Sequence, residues 1–271
     1  MEQEVNTTAT PVEETPTEET NTTNEFELTE PREVEGRAAQ RGKKIPVVHT
    51  LREASLAELQ ARDALRPYRS RDIGNEEEEV LADRTGTADV TLYEKLVIET
   101  KGYKLNVTPN QPAEDRAAAL KSIPAQHKRS IIKDVTEFKS KPVYDIEDGV
   151  EEVFEWTENQ TYRIRTELGT KGQFVVYTNI KEPSESQLEV YTGAVKFILE
   201  KGELKPVTKI TVELEPAVKL FDQLVQSIEG FTYKGQPVDV TSAEQLVRVN
   251  GYFKRSVLDA VVKETQLDLG E

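Results

Sequence analysis

Lys128-Arg129 and Lys254-Arg255 are the residues whose type and spacing most suggest a working surface. Each basic pair falls in the first turns of the closing helix of a repeated segment. Cations there oppose the helix macrodipole, at roughly 0.3 kcal/mol or more each. A locally unfavourable feature written twice points to a contact. Arg52-Glu53 and Lys181-Glu182, at two equivalent strand-to-helix turns, form a second pair. These eight are the candidate partner-binding residues. The two histidines, His49 and His127, align with Tyr177 and Phe253, which favours packing over general-base chemistry. Zinc-helix spacing, a Walker loop, G-x-G-x-x-G and G-x-S-x-G are missing from the sequence. Asp145-Ile146-Glu147-Asp148 lacks calcium-loop spacing. The run Glu76 to Glu79 reads as a solvated loop, because adjacent carboxylates do not converge on one ion. With 50 Asp and Glu, carboxylate pairs arise anywhere and carry no weight. The chain has no cysteine, which removes disulfides, thiolate metal sites and thiol nucleophiles. No catalytic residue, metal or cofactor is expected, and the chain reads as a non-enzyme.

The residues that could carry a contact must be positioned by a folded body, and composition says where it lies. The net charge is −15 over 271 residues, and −10 of it falls in the first 35. The rest is near balance, against the basic face that phosphate neutralisation requires, so no nucleic-acid partner is expected. No window approaches the ~20 apolar residues of a membrane span. The opening MEQEVNTTATPVEE lacks the basic and apolar regions of a secretory signal. Residues 1–25 are Thr, Glu, Asn and Pro, with too little apolar surface to offset ordering entropy, and read as a disordered acidic tail.

Five blocks then recur in the same order. Phe26-Glu27-Leu28-Thr29-Glu30 matches Phe154-Glu155-Trp156-Thr157-Glu158, and Val47-Val48-His49-Thr50 matches Val175-Val176-Tyr177-Thr178, both at an offset of 128. Leu51 to Ser55 matches Ile180 to Ser184 at 129, which implies an insertion at Asn179. LYEKLVIETKGY, from Leu92, matches LFDQLVQSIEGF, from Leu220, at 128, and Lys128 to Ile132 matches Lys254 to Leu258 at 126. The matches read as two homologous units, 26–139 and 154–264, joined by a linker over 140–153 and followed by a C-terminal tail over 265–271.

The expected fold class is α+β, each unit a short hairpin or small sheet followed by three to four helices. The hairpin strands are Phe26 to Thr29 with Ile45 to Leu51, and Tyr162 to Thr166 with Phe174 to Ile180. Arg32 to Lys44 is too polar for a clear strand signal. Ser55-x-x-Glu58 and Ser184-x-x-Gln187 are capping boxes opening helices toward Tyr68 and Leu199. Leu92, Tyr93, Leu96 and Val97, like Leu220, Phe221, Leu224 and Val225, form one helix face, with Pro216 at a first helical position and Gly102 and Gly230 as terminators. The polar positions of this helix, Glu94 and Asp222 included, read as free to differ. Short helices are expected over Ala113 to Lys121 and Ser242 to Val249, the latter opened by Thr241-x-x-Glu244. Closing helices follow over Ala125 to Phe138 and Gly251 to Glu264, with Ile131, Ile132, Val135 and Val257, Leu258, Val261 inward. Lys141 to Gly149 reads as a turn-rich linker.

Leu51-Arg52-Glu53-Ala54-Ser55, Ile180-Lys181-Glu182-Pro183-Ser184 and Ile123-Pro124-Ala125-Gln126-His127-Lys128, in this order with the amphipathic helix between, resemble the tail assembly chaperones of bacteriophages. The second unit departs from the last motif with Val249-Asn250-Gly251-Tyr252-Phe253-Lys254, and such chaperones are usually single units. The resemblance implies a non-enzymatic factor that binds a tape-measure-like tail protein in the host cytoplasm during virion assembly. A structural virion protein and a small acidic inhibitor are the alternatives, and self-association is left open.

Overall fold

The computed structural model describes residues 25–65, 68–71, 78–82, 85–144, 160–192, 196–200, 203–209 and 214–264. The acidic segment 1–24, the block Phe154 to Glu158, the carboxylates Glu76 and Glu77, the Asp145 to Asp148 run and the tail 265–271 lie outside them. The fold is α+β. The first half runs β1 (Phe26–Glu27), β2 (Arg32–Gln40), β3 (Lys43–Leu51), α1 (Leu56–Asp63), β4 (Tyr68–Arg71), β5 (Glu78–Ala82), α2 (Thr85–Leu96), β6 (Val97–Lys101), α3 (Ala113–Ser122) and α4 (Ala125–Thr136). It closes with β7 (Phe138–Val143), and the second half runs β8 (Thr161–Leu168), β9 (Phe174–Lys181), α5 (Glu185–Thr192), β10 (Lys196–Glu200), β11 (Glu203–Lys209), α6 (Leu214–Leu224), β12 (Val225–Glu229), β13 (Phe231–Tyr233), β14 (Gln236–Pro237), α7 (Ala243–Leu246) and α8 (Gly251–Glu264). From β2 to α4 and from β8 to α8 the order of elements is the same, apart from the short β13–β14 hairpin.

The sheets are built across the halves. β2-β3-β6 stays within the first, but β7 completes β12-β9-β8-β7, and β4 pairs antiparallel with β11 in the order β10-β11-β4-β5. β1 pairs parallel with β13, carrying Phe26 and Leu28 into the second core. There Phe26 meets Phe174 edge-on at 5.2 Å between ring centroids. Leu214 and Tyr252 are buried in the first core, and Phe138 packs against both.

Two of the three predicted capping boxes form. The Ser55 hydroxyl accepts from Glu58 N, and Glu58 Oε2 accepts from Ser55 N at 3.0 Å. Ser184 and Gln187 repeat the exchange. The inward faces of α4 and α8 are buried as expected.

Other elements differ from expectation for identifiable reasons. The first hairpin uses Arg32–Gln40 as its outer strand instead of Phe26–Thr29. Its polar sequence is tolerated because the strand lies at a sheet edge and Arg32 pairs with Asp134 of α4 at 3.0 Å. Helix α1 stops at Asp63 and α5 at Thr192, and strands β4 and β10 follow where helix was expected. Glu78 and Glu79 begin strand β5 instead of continuing a loop. Thr241 and Glu244 form no box: the Thr241 hydroxyl donates to Asp239, and Glu244 accepts from the Tyr233 hydroxyl at 2.6 Å. Helix α6 starts at Leu214, so Pro216 is its third residue. Lys141 to Val143 belong to β7 rather than to a linker.

The largest correction concerns LYEKLVIETKGY. Its helix ends at Leu96, and Val97 to Lys101 turn into strand β6, as Val225 to Glu229 do in β12. β-branched Val97, Ile98 and Thr100 suit a strand, and β3 offers the ladder. Gly102 and Gly230 therefore end strands, not helices. Their φ values are +90° and +99°, and a Cβ would stand 2.3 Å from the Pro46 carbonyl oxygen or 2.7 Å from that of Val175. Gly102→Ala should lower stability by more than about 2 kcal/mol, since the left-handed penalty and a backbone clash add. Gly235→Ala, at φ +72° with nothing within 4 Å of the new Cβ, should lose only about 1 kcal/mol. Urea unfolding of the two variants separates the terms.

Candidate functional site

The structure takes two of the eight candidate contact residues out of solvent. Lys128 is 4% exposed and its Nζ donates to Glu94 Oε1 at 2.6 Å, 6.0 Å from the centre of the Tyr93 ring. Lys254 is 1% exposed and its Nζ donates to Asp222 Oδ1 at 2.6 Å, 5.7 Å from that of Phe221. The same construction therefore clamps α4 to α2 and α8 to α6. Burial pushes the Lys254 ammonium below its ordinary pKa, and Asp222 opposes this. Burial likewise raises Asp222 against the pull of Lys254. These lysines are internal clamps, a correction to their reading as a surface patch. Glu94 and Asp222 are their partners and not freely exchangeable.

The other six are dispersed. Arg52 grips Glu58 through two bonds, Nη1 to Oε2 at 2.9 Å and Nη2 to Oε1 at 2.6 Å. That bond holds the Glu58 carboxyl down at about 2 against the opposing effect of burial. Glu53 accepts from Asn250 Nδ2 at 3.2 Å, across the halves, and burial raises its pKa. Lys181 is exposed at the end of β9, and the Glu182 backbone N–H donates to the Gln160 carbonyl at 2.7 Å. Arg129 donates to the Gly86 carbonyl at 3.4 Å, and Arg255 lies 3.7 Å from Asp63. Only Arg129 and Arg255 come together, lining with Arg62, Lys133, Asp89 and Glu137 a cavity of about 550 Å³ at the junction of the halves.

Sequence reasoning missed the residue at the centre of that junction. Tyr252 donates its hydroxyl to Asp63 Oδ1 at 2.7 Å. The guanidinium carbons of Arg62 and Arg255 lie 5.3 Å and 4.8 Å from its ring centre. Arg62 in turn donates to Asp89 at 2.8 Å. The signal was present as a mismatch, because Tyr252 aligns with Gln126 at the offset of the closing helices.

The histidines meet in the first core. Tyr103 Oη lies 2.9 Å from His127 Nδ1 and 3.1 Å from His49 Nε2, and His49 Nδ1 lies 2.7 Å from Tyr93 Oη. The three bonds can be satisfied together in either direction, from Tyr93 through His49 and Tyr103 to His127 or the reverse, according to the histidine tautomers. Burial, and secondarily His127, lowers the His49 pKa to about 4. Burial raises Tyr103 to about 12. The strand ladders correct the alignment of His49. Its cross-strand partner is Thr100, and the matching position against Ile228 is Thr178, while Tyr177 faces Glu229. Where the first half carries this polar chain, the second has Thr178 with Phe221, Phe231 and Phe253, the last two rings 4.9 Å apart.

Among the described residues no group of three or more His, Asp or Glu is placed to hold a metal ion, and no helix is long and apolar enough to cross a membrane. Fold and site together define an α+β protein of two joined halves in which most of the candidate charged residues serve internal contacts. No family model, curated protein or solved structure was found that matches this chain.

Two measurements test this account. Asp222→Ala strands the Lys254 ammonium. It should cost about 2–3 kcal/mol, below the loss for a fully buried pair because Asp222 keeps contact with water. Combining it with Lys254→Met should restore much of the loss, read by urea unfolding. His49 has a folded pKa below its unfolded value, so the unfolded state binds more protons between about pH 6.5 and 4. Stability should therefore fall through that window as pH drops, by on the order of 3 kcal/mol. His49→Gln should flatten that slope, while the acid limb below about pH 4.5, set by depressed carboxyls such as Glu58, should persist.

Proposed function

We propose that this chain is a non-enzymatic morphogenesis factor of bacteriophage tails, chaperone-like, that its halves arose by duplication, and that it binds a tape-measure-like protein in the host cytoplasm during assembly. The observation that carries the binding reading is a groove of about 570 Å³ between α5 and α6. Tyr191, Pro216 and Leu220 line it, with Gln187, Lys219 and Gln223 also at its walls. An amphipathic partner segment docks in such a groove by placing apolar anchors on the floor and polar groups at the rim. The motif resemblance at Arg52 to Ser55 and Lys181 to Ser184 supports the same reading, since both lead into the helices that open each half.

Co-expression with the tail protein encoded alongside tests it. The chain should raise the soluble fraction of that partner and co-elute with it. Pro216→Arg, which projects a long cation into the groove from a position that tolerates a good helix former, should abolish both while the chain stays folded by circular dichroism. A partner equally soluble and uncomplexed with and without the chain would refute the reading.

A further inference from the structure

The outer edge of β8 is covered by β7, the strand that leaves α4 after a single residue, Glu137. β2 holds the same place in the first half: it pairs antiparallel with β3, which pairs with β6, as β8 pairs with β9 and β9 with β12. Yet among the described residues no strand covers the outer edge of β2. The β2–β3 hairpin closes through Arg41 and Gly42, with φ +49° and +76°, the two left-handed residues of a type I′ turn. In that turn the flanking pair, Gln40 and Lys43, is hydrogen-bonded, so alternate residues of β2 face β3. The backbone N–H and C=O of Glu33, Glu35, Arg37 and Ala39 point away, and these residues are exposed. Beside them lies an open groove of about 590 Å³, lined by Glu35, Arg37, Pro46, Val48 and Lys171 among others.

Among the described residues, three of the joints between the halves pair unlike surfaces: β7 on β8, β11 on β4, and the start of α8 on α1. A heterologous joint of this kind can be repeated from one copy to the next. We propose that the free edge of β2 accepts, as an added strand, the segment that follows α8 in a second copy, residues 265–271, so that chains associate head to tail. That segment, TQLDLGE, stands after α8 where β7 stands after α4. Its charge also fits. It carries Asp268 and Glu271 and no cation, while the hairpin from Glu33 to Lys44 carries Arg37, Arg41, Lys43 and Lys44 against Glu33 and Glu35, a net of +2 concentrated at the tip. The same step sets β5 of the accepting copy beside β10 of the donor, the two outer strands of the sheet that already spans the halves. The seal at the start of α8 is not reproduced, because Pro124 and Gln126 stand where that joint has Asn250 and Tyr252. Association therefore rests on strand addition and charge, and is weak and salt-sensitive.

Sedimentation velocity of the full chain over a wide concentration range tests this, independently of any tail partner. Mass should rise above that of one chain with concentration and fall with salt, and a chain ending at Glu264 should associate at least about tenfold more weakly. Glu35→Pro removes an outward N–H and should block acceptance. Mixed with the shortened chain, which cannot donate, it should form a dimer and stop there. Should Glu35→Pro not fold, Arg37→Glu with Lys171→Glu leaves the backbone intact and should weaken association by a similar factor. A full chain that stays monomeric throughout, or one whose association is unchanged by loss of 265–271, overturns the proposal. Association abolished by removing 1–24 instead would assign the edge to the acidic N-terminal segment and also overturn it.

Discussion

The hydroxyl of Tyr252 reaching Asp63 across the two halves is the constraint on which the rest of the architecture depends. Burial raises this phenol to about 12, so it remains a donor at any neutral pH. Its ring lies against the guanidinium groups of Arg62 and Arg255, and those groups face Asp89 and Asp63. Charges that would be costly to bury singly are thereby neutralised around one aromatic ring. With α8 held on α1 in this way, Asn250 meets Glu53, Gln60 meets Glu215, and Leu214 enters the first core. The strand pairings β7–β8 and β4–β11 join the same two bodies.

Local signals in the sequence were read correctly where one physical effect dominates. A hydroxyl three residues before a carboxylate or amide forms a capping box where the helix starts next to the hydroxyl, as at Ser55 and Ser184; at Thr241 the helix starts one residue later and the box does not form. The faces of α4 and α8 were legible because each apolar stripe is continuous. Leu92 to Gly102 failed because a short run of Leu, Val and Ile satisfies helix and strand periodicity together. The β-branched residues from Val97 onward held the answer, and the ladder to β3 decided it. The exchange of β1 and β7 into the other half was beyond any local signal, since nothing in Phe26 or Phe138 names the strand it will pair with.

The candidate site shows a similar division. Two basic pairs at equivalent places were correctly seen as unusual, but their cause was internal. The missing clue was that Glu94 and Asp222 are both acids. Position 128 and position 254 each have a carboxylate two helices earlier, and that coincidence is the signature of a clamp rather than of a docking patch. His49 could not be placed from alignment alone, because the one-residue insertion falls before it in the hairpin and not after it. A shift of one residue in a strand moves a side chain to the opposite face, which is why Tyr177 looked like its counterpart while Thr178 is.

The halves share an order of elements but differ in what they contribute. The first places Phe26 and Leu28 in the second core, and the strand after its last helix completes the second sheet. The second core is built of phenyl rings, whereas the first keeps a chain of hydroxyls and imidazoles at matching positions. Polar cores of this kind are sensitive to any loss of a partner, because each unsatisfied group is penalised in low dielectric. Each half thus depends on the other, the second through Phe26, Leu28 and β7 and the first through Tyr252 and Leu214. The open edge of β2 follows from the same asymmetry. Among the described residues, a first half that passes its closing strand forward leaves its own leading strand without one, and another molecule, or another part of this chain, can supply it.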